Sequence, residues 1–406
     1  MRIARVFSQT VLLAASGYFV DIYDLVLFGV VRVSSLKELG ISGTGLLTEG
    51  VFLLNVQTAG ILLGGFVWGV CGDKVGRVRA LFGSILFFSL ATLANAFVHS
   101  IGAYACFRFI AGVGLAGELG VGITLVAEAL PKELRAHASS IVIVVGILGA
   151  VFASMVSGTL GWREGYGVGG LLGLGLLLMR GRFSDPSVFL KQCQNAQEKH
   201  GVFIFLKRSK STFVKYAKCI LIGVPVQFAP AILIAFSPEI MAGRNFGRSI
   251  SIGTSIICNY IGTGVGAILA SSLSHAFRSR MKIILFFLVM MWLFVFLFLW
   301  LPHQSLSLFY FLSLLVGIGG GFWSIYILMC SELFGTNVRA TSTTTIINLS
   351  RAGMILMTSV FALLSRHFES TGAAFIVGTV SIVLAILAGL KLPDSFERDL
   401  DYTELT

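Results

Sequence analysis

Gly69-Val70-Cys71-Gly72-Asp73-Lys74-Val75-Gly76-Arg77 is a charged, glycine-rich turn set between two apolar runs, 51–71 and 80–99. Each run is long enough to cross a hydrocarbon layer, which takes about 20 residues of helix. The chain therefore reverses at a membrane face, and Lys74, Arg77 and Arg79 mark that face. Basic residues are what an inner loop carries. Their presence does not explain Asp73 in the midst of the glycines, so the turn carries more than a topological signal.

Composition extends the reading to the whole chain. Hydrophobic residues make up 56% of the 406 and charged residues 12%, where a soluble domain carries about 25% charged residues. Lipid offers the backbone no hydrogen bonds, so apolar runs of this length are helices. Twelve are expected, at 9–33, 51–71, 80–99, 101–129, 138–160, 165–180, 216–241, 250–273, 283–301, 305–330, 340–365 and 371–391. The expected class is an all-α polytopic membrane protein, with the lipid bilayer as its surroundings. The net charge of +11 does not point to nucleic acid, because the basic residues gather in alternate loops; that bias places both termini in the cytosol. Arg2 and Arg5 precede a run that is long and contains Asp21 and Asp24, so it reads as an uncleaved first helix. Short loops and no targeting extension suggest a bacterial inner membrane. Six cysteines without paired spacing imply no disulfide or metal site, and no cofactor is expected. No Gly-x4-Gly-Lys-Ser/Thr loop occurs, so no ATP is used. No His/acid cluster or Ser/His/Asp set converges at one depth, so an enzyme is not expected.

The longest polar interruption divides the chain into a bundle at 1–180, a cytosolic linker at 181–215 and a bundle at 216–391. An acidic tail at 392–406 reads as solvated and disordered. The halves echo each other. Glu128 with Arg135-Ala136 follows the fourth span, and Glu332 with Arg339-Ala340 follows the tenth, 204 residues later. Such internal symmetry marks carriers that rock two related bundles around a central site.

Ionisable side chains inside spans are costly and are functional candidates by default. Asp24 and Arg108 lie at similar depths, counted by helical rise from their outer ends. Burial disfavours a charged carboxylate and a neighbouring guanidinium favours it, so the two together suit proton coupling; a static pair pinning two helices is the alternative. Asp21 and Glu118 are further intramembrane acids and candidates for the same proton coupling. Arg351 falls near mid-bilayer with Asn348 on the same face, and a guanidinium there can grip a carboxylate. Asn55, Gln57, Gln227, Asn259, Tyr260, Trp323 and Tyr326 are candidate linings of a substrate cavity. Gly112-x-Gly114-x-x-Gly117 spells a dinucleotide fingerprint but lies mid-span with no strand before it; it is a packing device.

The Gly69–Arg77 turn resembles the signature loop of the major facilitator superfamily, Gly-x-x-x-Asp-Lys/Arg-x-Gly-Arg. Gly17–Asp24 and Arg108–Glu118 resemble the first and fourth helices of its sugar porters and metabolite:proton symporters, with Ala116 in place of a family glycine. The resemblance implies twelve helices in two pseudo-symmetric six-helix bundles. It implies proton coupling by Asp24 and Arg108, and a cytosolic gate of Gly69, Asp73, Gly76, Arg77, Glu128, Arg135, Glu332 and Arg339. The second-half partner of the loop, Ser274–Lys282, keeps the basic charge but not the glycines or the acid.

The expected function is secondary active transport of a small polar metabolite, an organic anion or zwitterion, by proton symport with alternating access. The expected partners are a small-molecule substrate and protons, and the chain is expected to act as a monomer. A sugar-type symporter, a drug/proton antiporter and a non-transporting sensor on the same fold are the alternatives. Gly146 to Gly158 runs without the proline that the antiporters show in their fifth helix.

Overall fold

The structure, a computed structural model, describes residues 9–42, 45–180, 210–241, 250–301, 305–396, 398, 400 and 402. Among the described residues every regular element is helical. In the first half these are α1 (Gln9–Glu38), α2 (Gly45–Lys74), α3 (Arg77–Asn95), α4 (Ile101–Ala129), α5 (Arg135–Thr159) and α6 (Trp162–Arg180). The second half has α7 (Lys210–Gly223), α8 (Ile252–Ala276), α9 (Arg280–Trp300), α10 (Leu306–Gly320, resuming as Trp323–Glu332), α11 (Arg339–Leu364) and α12 (Ser370–Gly389).

Eleven of these spans are long and apolar enough to cross a membrane. The exception is α6, whose first turn carries Arg163 and Glu164 and whose body is rich in glycine. It is a helix all the same, with Leu171, Leu178 and Met179 facing outward. Outward-facing Leu63, Leu90, Met155, Phe286 and Val289 likewise cover the helices in apolar surface, more than a water-soluble fold leaves exposed. Serines cap the starts of α4, α8, α9 and α10: Ser100, Ser251, Ser279 and Ser305 each accept from the amide three residues on. A capping hydroxyl satisfies one of the otherwise unpaired first-turn donors.

The seventh span is irregular. After Gly223 it tightens to a 3₁₀ turn at Val224–Gln227, widens to a π-helix at Ala229–Ile234 and ends in a short turn at Ser237–Ile240. Pro225 and Pro230 cause this, because each lacks the N–H that an α-helix needs and clashes with the preceding turn.

The helices sort into two compact units, Met1–Arg208 with Ser331–Asn348 and Asp399–Thr406, and Ser209–Cys330 with Leu349–Arg398. In the first unit α2 and α3 pack on α4, and α1 and α3 on α6. The second unit repeats the scheme, with α8 and α9 on α10, and α7 and α9 on α12. Of the expected linker, 181–209 lie outside the described residues and 210–215 open α7.

The described part of the acidic tail corrects the expectation of a solvated end. Leu392, Ser395 and Leu400 are buried. The Asp394 carboxylate accepts from the Arg280 and Met281 amides at 3.0 and 3.3 Å and from the Ser279 hydroxyl, an acid at a helix N-terminus where the dipole favours it. The Leu400 and Tyr402 carbonyls accept from Thr336. Composition overstated the tail's independence because it weighed its charges and not its apolar Leu400 and Tyr402.

Glycine sets the closest helix approach. A Cβ on Gly60 would strike the Phe109 carbonyl of α4, and one on Gly112 the Gln57 carbonyl of α2. The two backbones touch, so small residues here are a steric requirement. Gly112→Leu should force them apart at a cost of about 1–3 kcal/mol or more and lower the midpoint of thermal unfolding in detergent. Gly175→Leu, at an exposed glycine with open space beside it, should leave that midpoint unchanged.

Candidate functional site

The α2–α4 crossing brings three polar side chains into one buried cluster. Asp24 (α1), Gln57 (α2) and Arg108 (α4) are each at most 1% exposed. Gln57 Nε2 donates to Asp24 Oδ2 at 2.7 Å, and Arg108 Nη2 donates to Gln57 Oε1. The nearest direct approach of the two charges, Arg108 Nη1 to Asp24 Oδ2, is 3.8 Å. Nη1 instead donates to the Tyr166 hydroxyl at 3.1 Å, and that hydroxyl shares a 2.7 Å hydrogen bond with Tyr104. The guanidinium lies over the Phe28 ring, 3.8 Å from its centroid, an attraction worth more when water is excluded. Trp162 packs against both tyrosines and closes the aromatic wall.

Asp24 and Arg108 thus meet as their depths in the sequence imply, and Gln57 has a different place from the one expected of it. It is the bridge between the acid and the base. Tyr104, Tyr166 and Phe28 were not singled out from the sequence. Tyr104 had a signal, since it stands one helical turn before Arg108 on the same face. Chemically the cluster holds one carboxylate whose Oδ1 makes no close hydrogen bond among the described residues, with the Thr92 hydroxyl near the carboxylate, beside a fixed cation. Such a group can take up one proton.

The second unit carries an uncharged version of this arrangement. A Cβ on Gly317 would strike the Asn259 carbonyl, and one on Gly262 the Leu314 carbonyl, repeating the Gly112/Gln57 and Gly60/Phe109 approaches. Asn259 stands where Gln57 stands, and its Nδ2 donates to the Ser313 carbonyl at 3.2 Å. The 204-residue repeat carries Asp24 to within one residue of Gln227 and Arg108 to within one of Ser313. Gln227 is partly buried in the 3₁₀ turn of the seventh span.

At the α2–α3 turn the charges form a second network. Gly76, at φ 131°, takes a conformation that favours glycine and lets α3 begin after a break of only two residues, Val75 and Gly76. Arg77 meets Glu128 with two parallel hydrogen bonds of 3.0 Å, and Arg339 Nη1 reaches the same Glu128 at 2.8 Å. Arg77 also donates to the Gly72 and Thr336 carbonyls, and Arg339 to those of Ser331, Phe334 and Leu400. Asp73 lies 3.3 Å from Arg77 and accepts from the amides of Ala340 and Thr341 and from the Thr341 hydroxyl. Its charge therefore sits on the N-terminus of α11, where the helix dipole favours an anion. A Cβ on Gly69 would come within 2.7 Å of Thr341 Cα, so that glycine admits α11. Arg135 donates to the Leu130 carbonyl, and Glu332 is buried with its carbonyl accepting from the Tyr402 hydroxyl.

The remaining candidates are scattered. Glu118 is buried and accepts from Ser84 at 2.7 Å; Asp21 is buried one turn before Asp24. Asn348 Nδ2 donates to the Ala116 carbonyl at 3.1 Å. Trp323 stacks on Tyr326, whose hydroxyl donates to the Cys219 carbonyl and pairs with Ser350. Arg351 and Tyr260 are partly buried and Asn55 is exposed.

The family model for the Major Facilitator Superfamily matches residues 14–223. A putative metabolite transport protein of Haemophilus influenzae is 27% identical over 96% of both chains. A 3-(3-hydroxy-phenyl)propionate transporter of Escherichia coli is 26% identical over 74% of both. Among solved structures the proton:xylose symporter XylE superposes with a TM-score of 0.80 at 14% identity, covering 99% of this chain and 98% of that one, which is a likeness of fold. The chain belongs to the major facilitator superfamily and is a multi-pass membrane transporter of small molecules, not an enzyme.

Proposed function

We propose that the chain moves a small polar metabolite, an organic anion in the first instance, by proton symport, with Asp24 as the proton-carrying group and Arg108 as its electrostatic partner. The observation that carries this reading is the fully buried Asp24–Gln57–Arg108 cluster, in which a carboxylate keeps one oxygen uncommitted beside a fixed cation. An acid placed there for stability alone would be a poor choice, because burying an ion pair costs about as much as the pair returns. Alternating access then changes which side of the membrane can reach Asp24.

Arg351 is the proposed anchor for the substrate carboxylate. A guanidinium presents a fork that matches two carboxylate oxygens, and a relative is named for a propionate. Asn55, Gln227, Tyr260 and Trp323 are proposed linings of the same cavity. Asn348, Asn259 and Tyr326, whose polar atoms are spent on backbone or neighbouring hydroxyls, are proposed to shape it from behind. The basic α2–α3 turn supports a cytosolic placement of both termini in a bacterial inner membrane. There Glu128, Arg77, Arg339 and Asp73 form the inner gate, with Gly69 and Gly76 giving it room, and Arg135 and Glu332 as its flanking members. The transporter works as a monomer.

In proteoliposomes, adding carboxylates such as 3-(3-hydroxyphenyl)propionate should acidify the lumen, whereas sugars and betaines should not. Asp24→Asn should abolish accumulation driven by a proton gradient and spare substrate exchange; accumulation at the full rate would remove the coupling role. Arg351→Lys should weaken binding about tenfold or more for carboxylates and little for their uncharged amides. Equal loss for both would end the anion assignment.

A further inference from the structure

We infer that Gln57 is a positioning residue for proton exchange at Asp24: its amide, bridging carboxylate and guanidinium, keeps the two charges from closing into a hydrogen-bonded ion pair while holding both in place. The inference rests on the proton-symport reading and adds to it the group that keeps the acid able to titrate.

The argument begins with a contrast inside one molecule. At the α2–α3 turn Arg77 and Glu128 close a bidentate pair at 3.0 Å on both arms. That is the strongest form of the interaction, and it fixes the carboxylate in its charged state. At the Asp24 cluster the same two chemical groups are equally buried, yet their nearest approach is 3.8 Å. Gln57 bridges them from the side, hydrogen-bonded to Asp24 Oδ2 and to Arg108 Nη2. Its amide has one orientation that serves both neighbours. Arginine only donates and an ionised carboxylate only accepts, so the carbonyl end must face Arg108 and the amino end Asp24. The hydrogen bonds run that way.

The rest of the shell keeps Arg108 in position without the acid. Nη2 is held by Gln57, Nη1 by the Tyr166 hydroxyl, and the flat face by Phe28; Tyr104 fixes Tyr166 in turn. All four partners are neutral. A proton arriving from water therefore adds to Oδ1 of Asp24 and converts the carboxylate to a carboxylic acid with no other bond made or broken. Oδ2 becomes a carbonyl oxygen and still accepts from Gln57 Nε2. Arg108 loses no hydrogen bond when the proton enters and regains none when it leaves, so loading and release require no repacking of the bundle. The ionisable groups that act on Asp24 are Arg108 and Tyr104 from α4, Tyr166 from α6 and Tyr23 beside it on α1. Of these only Arg108 is charged at neutral pH, so the distance that Gln57 imposes sets how strongly a neighbouring charge acts on an acid already governed by its burial.

The test reads protonation directly. Infrared titration of the purified full-length protein should show a carboxylic-acid carbonyl band that is absent in Asp24→Asn, and its midpoint needs no substrate. Gln57→Leu lets the charges close, and the midpoint should fall by about 1 pH unit or more. Gln57→Glu sets a second carboxylate against Asp24, and the midpoint should rise. Opposite displacements are not what a packing role gives. A midpoint that stays put in both folded variants, or moves the same way in both, overturns the inference, as does a wild type without the band. Should Gln57→Leu fail to fold, Gln57→Asn, whose shorter amide cannot span both partners, takes its place with the same expected fall. Transport assays separate the two readings: opposite displacements in a protein that moves no protons with any carboxylate would keep the Gln57 role and remove symport. Proton-coupled uptake with unmoved midpoints would do the reverse.

Discussion

A guanidinium taken out of water must be given back its five hydrogen bonds and its counter-charge, and the first unit is organised around two solutions to that demand. At the α2–α3 turn, Arg77 and Arg339 share one carboxylate and spend their other donors on backbone carbonyls. In the cluster between α1, α2 and α4, Arg108 is met only in part, by an amide, a phenol and an aromatic face, and its Nε has no hydrogen-bond partner among the described residues. The first solution makes a rigid clasp and the second leaves an acid uncommitted. Both depend on helices close enough for side chains of ordinary length to reach, which the bare backbones of Gly60, Gly69 and Gly112 permit.

The same packing device recurs in the second unit, where Gly262 and Gly317 bring α8 against α10. There Gln227, Asn259 and Ser313 hold the places of an acid, an amide and a base. The packing is the same, and these three places carry no charge. Neutral polar groups in such a crossing hold helices together through hydrogen bonds and require no counter-ion. In the proposed cycle the two halves therefore do different work on one architecture.

Much of this was legible in the sequence, and what was not has identifiable causes. The α2–α3 turn announced itself because charges, glycines and apolar flanks follow one another along the chain, so spacing alone reveals them. Asp24 and Arg108 could be matched by depth, since helical rise converts residue number to height. Rotation about the helix axis has no such yardstick. Gln57 was therefore grouped with the cavity linings, and Tyr166, on a helix diluted by glycine, was passed over. The seventh span reads in the sequence as one plain helical run over 216–241, because hydropathy counts apolar residues and does not weigh the breaks that Pro225 and Pro230 impose. The tail was misjudged because acidic composition reports solubility on average, while Asp394 and Leu400 answer to particular partners, the N-terminus of α9 and the Arg339 guanidinium.

The clasp at Glu128 also has a history within each round of synthesis. Arg339 follows Glu128 by 211 residues, and the Leu400 carbonyl that completes Arg339 follows by 61 more. At about 5–20 residues per second, Glu128 and Arg77 wait roughly 10–40 s for their third member. Through that interval Arg77 and Glu128 can pair with each other alone. The order of translation thus lets the early helices settle against one another before any later segment can fasten onto them.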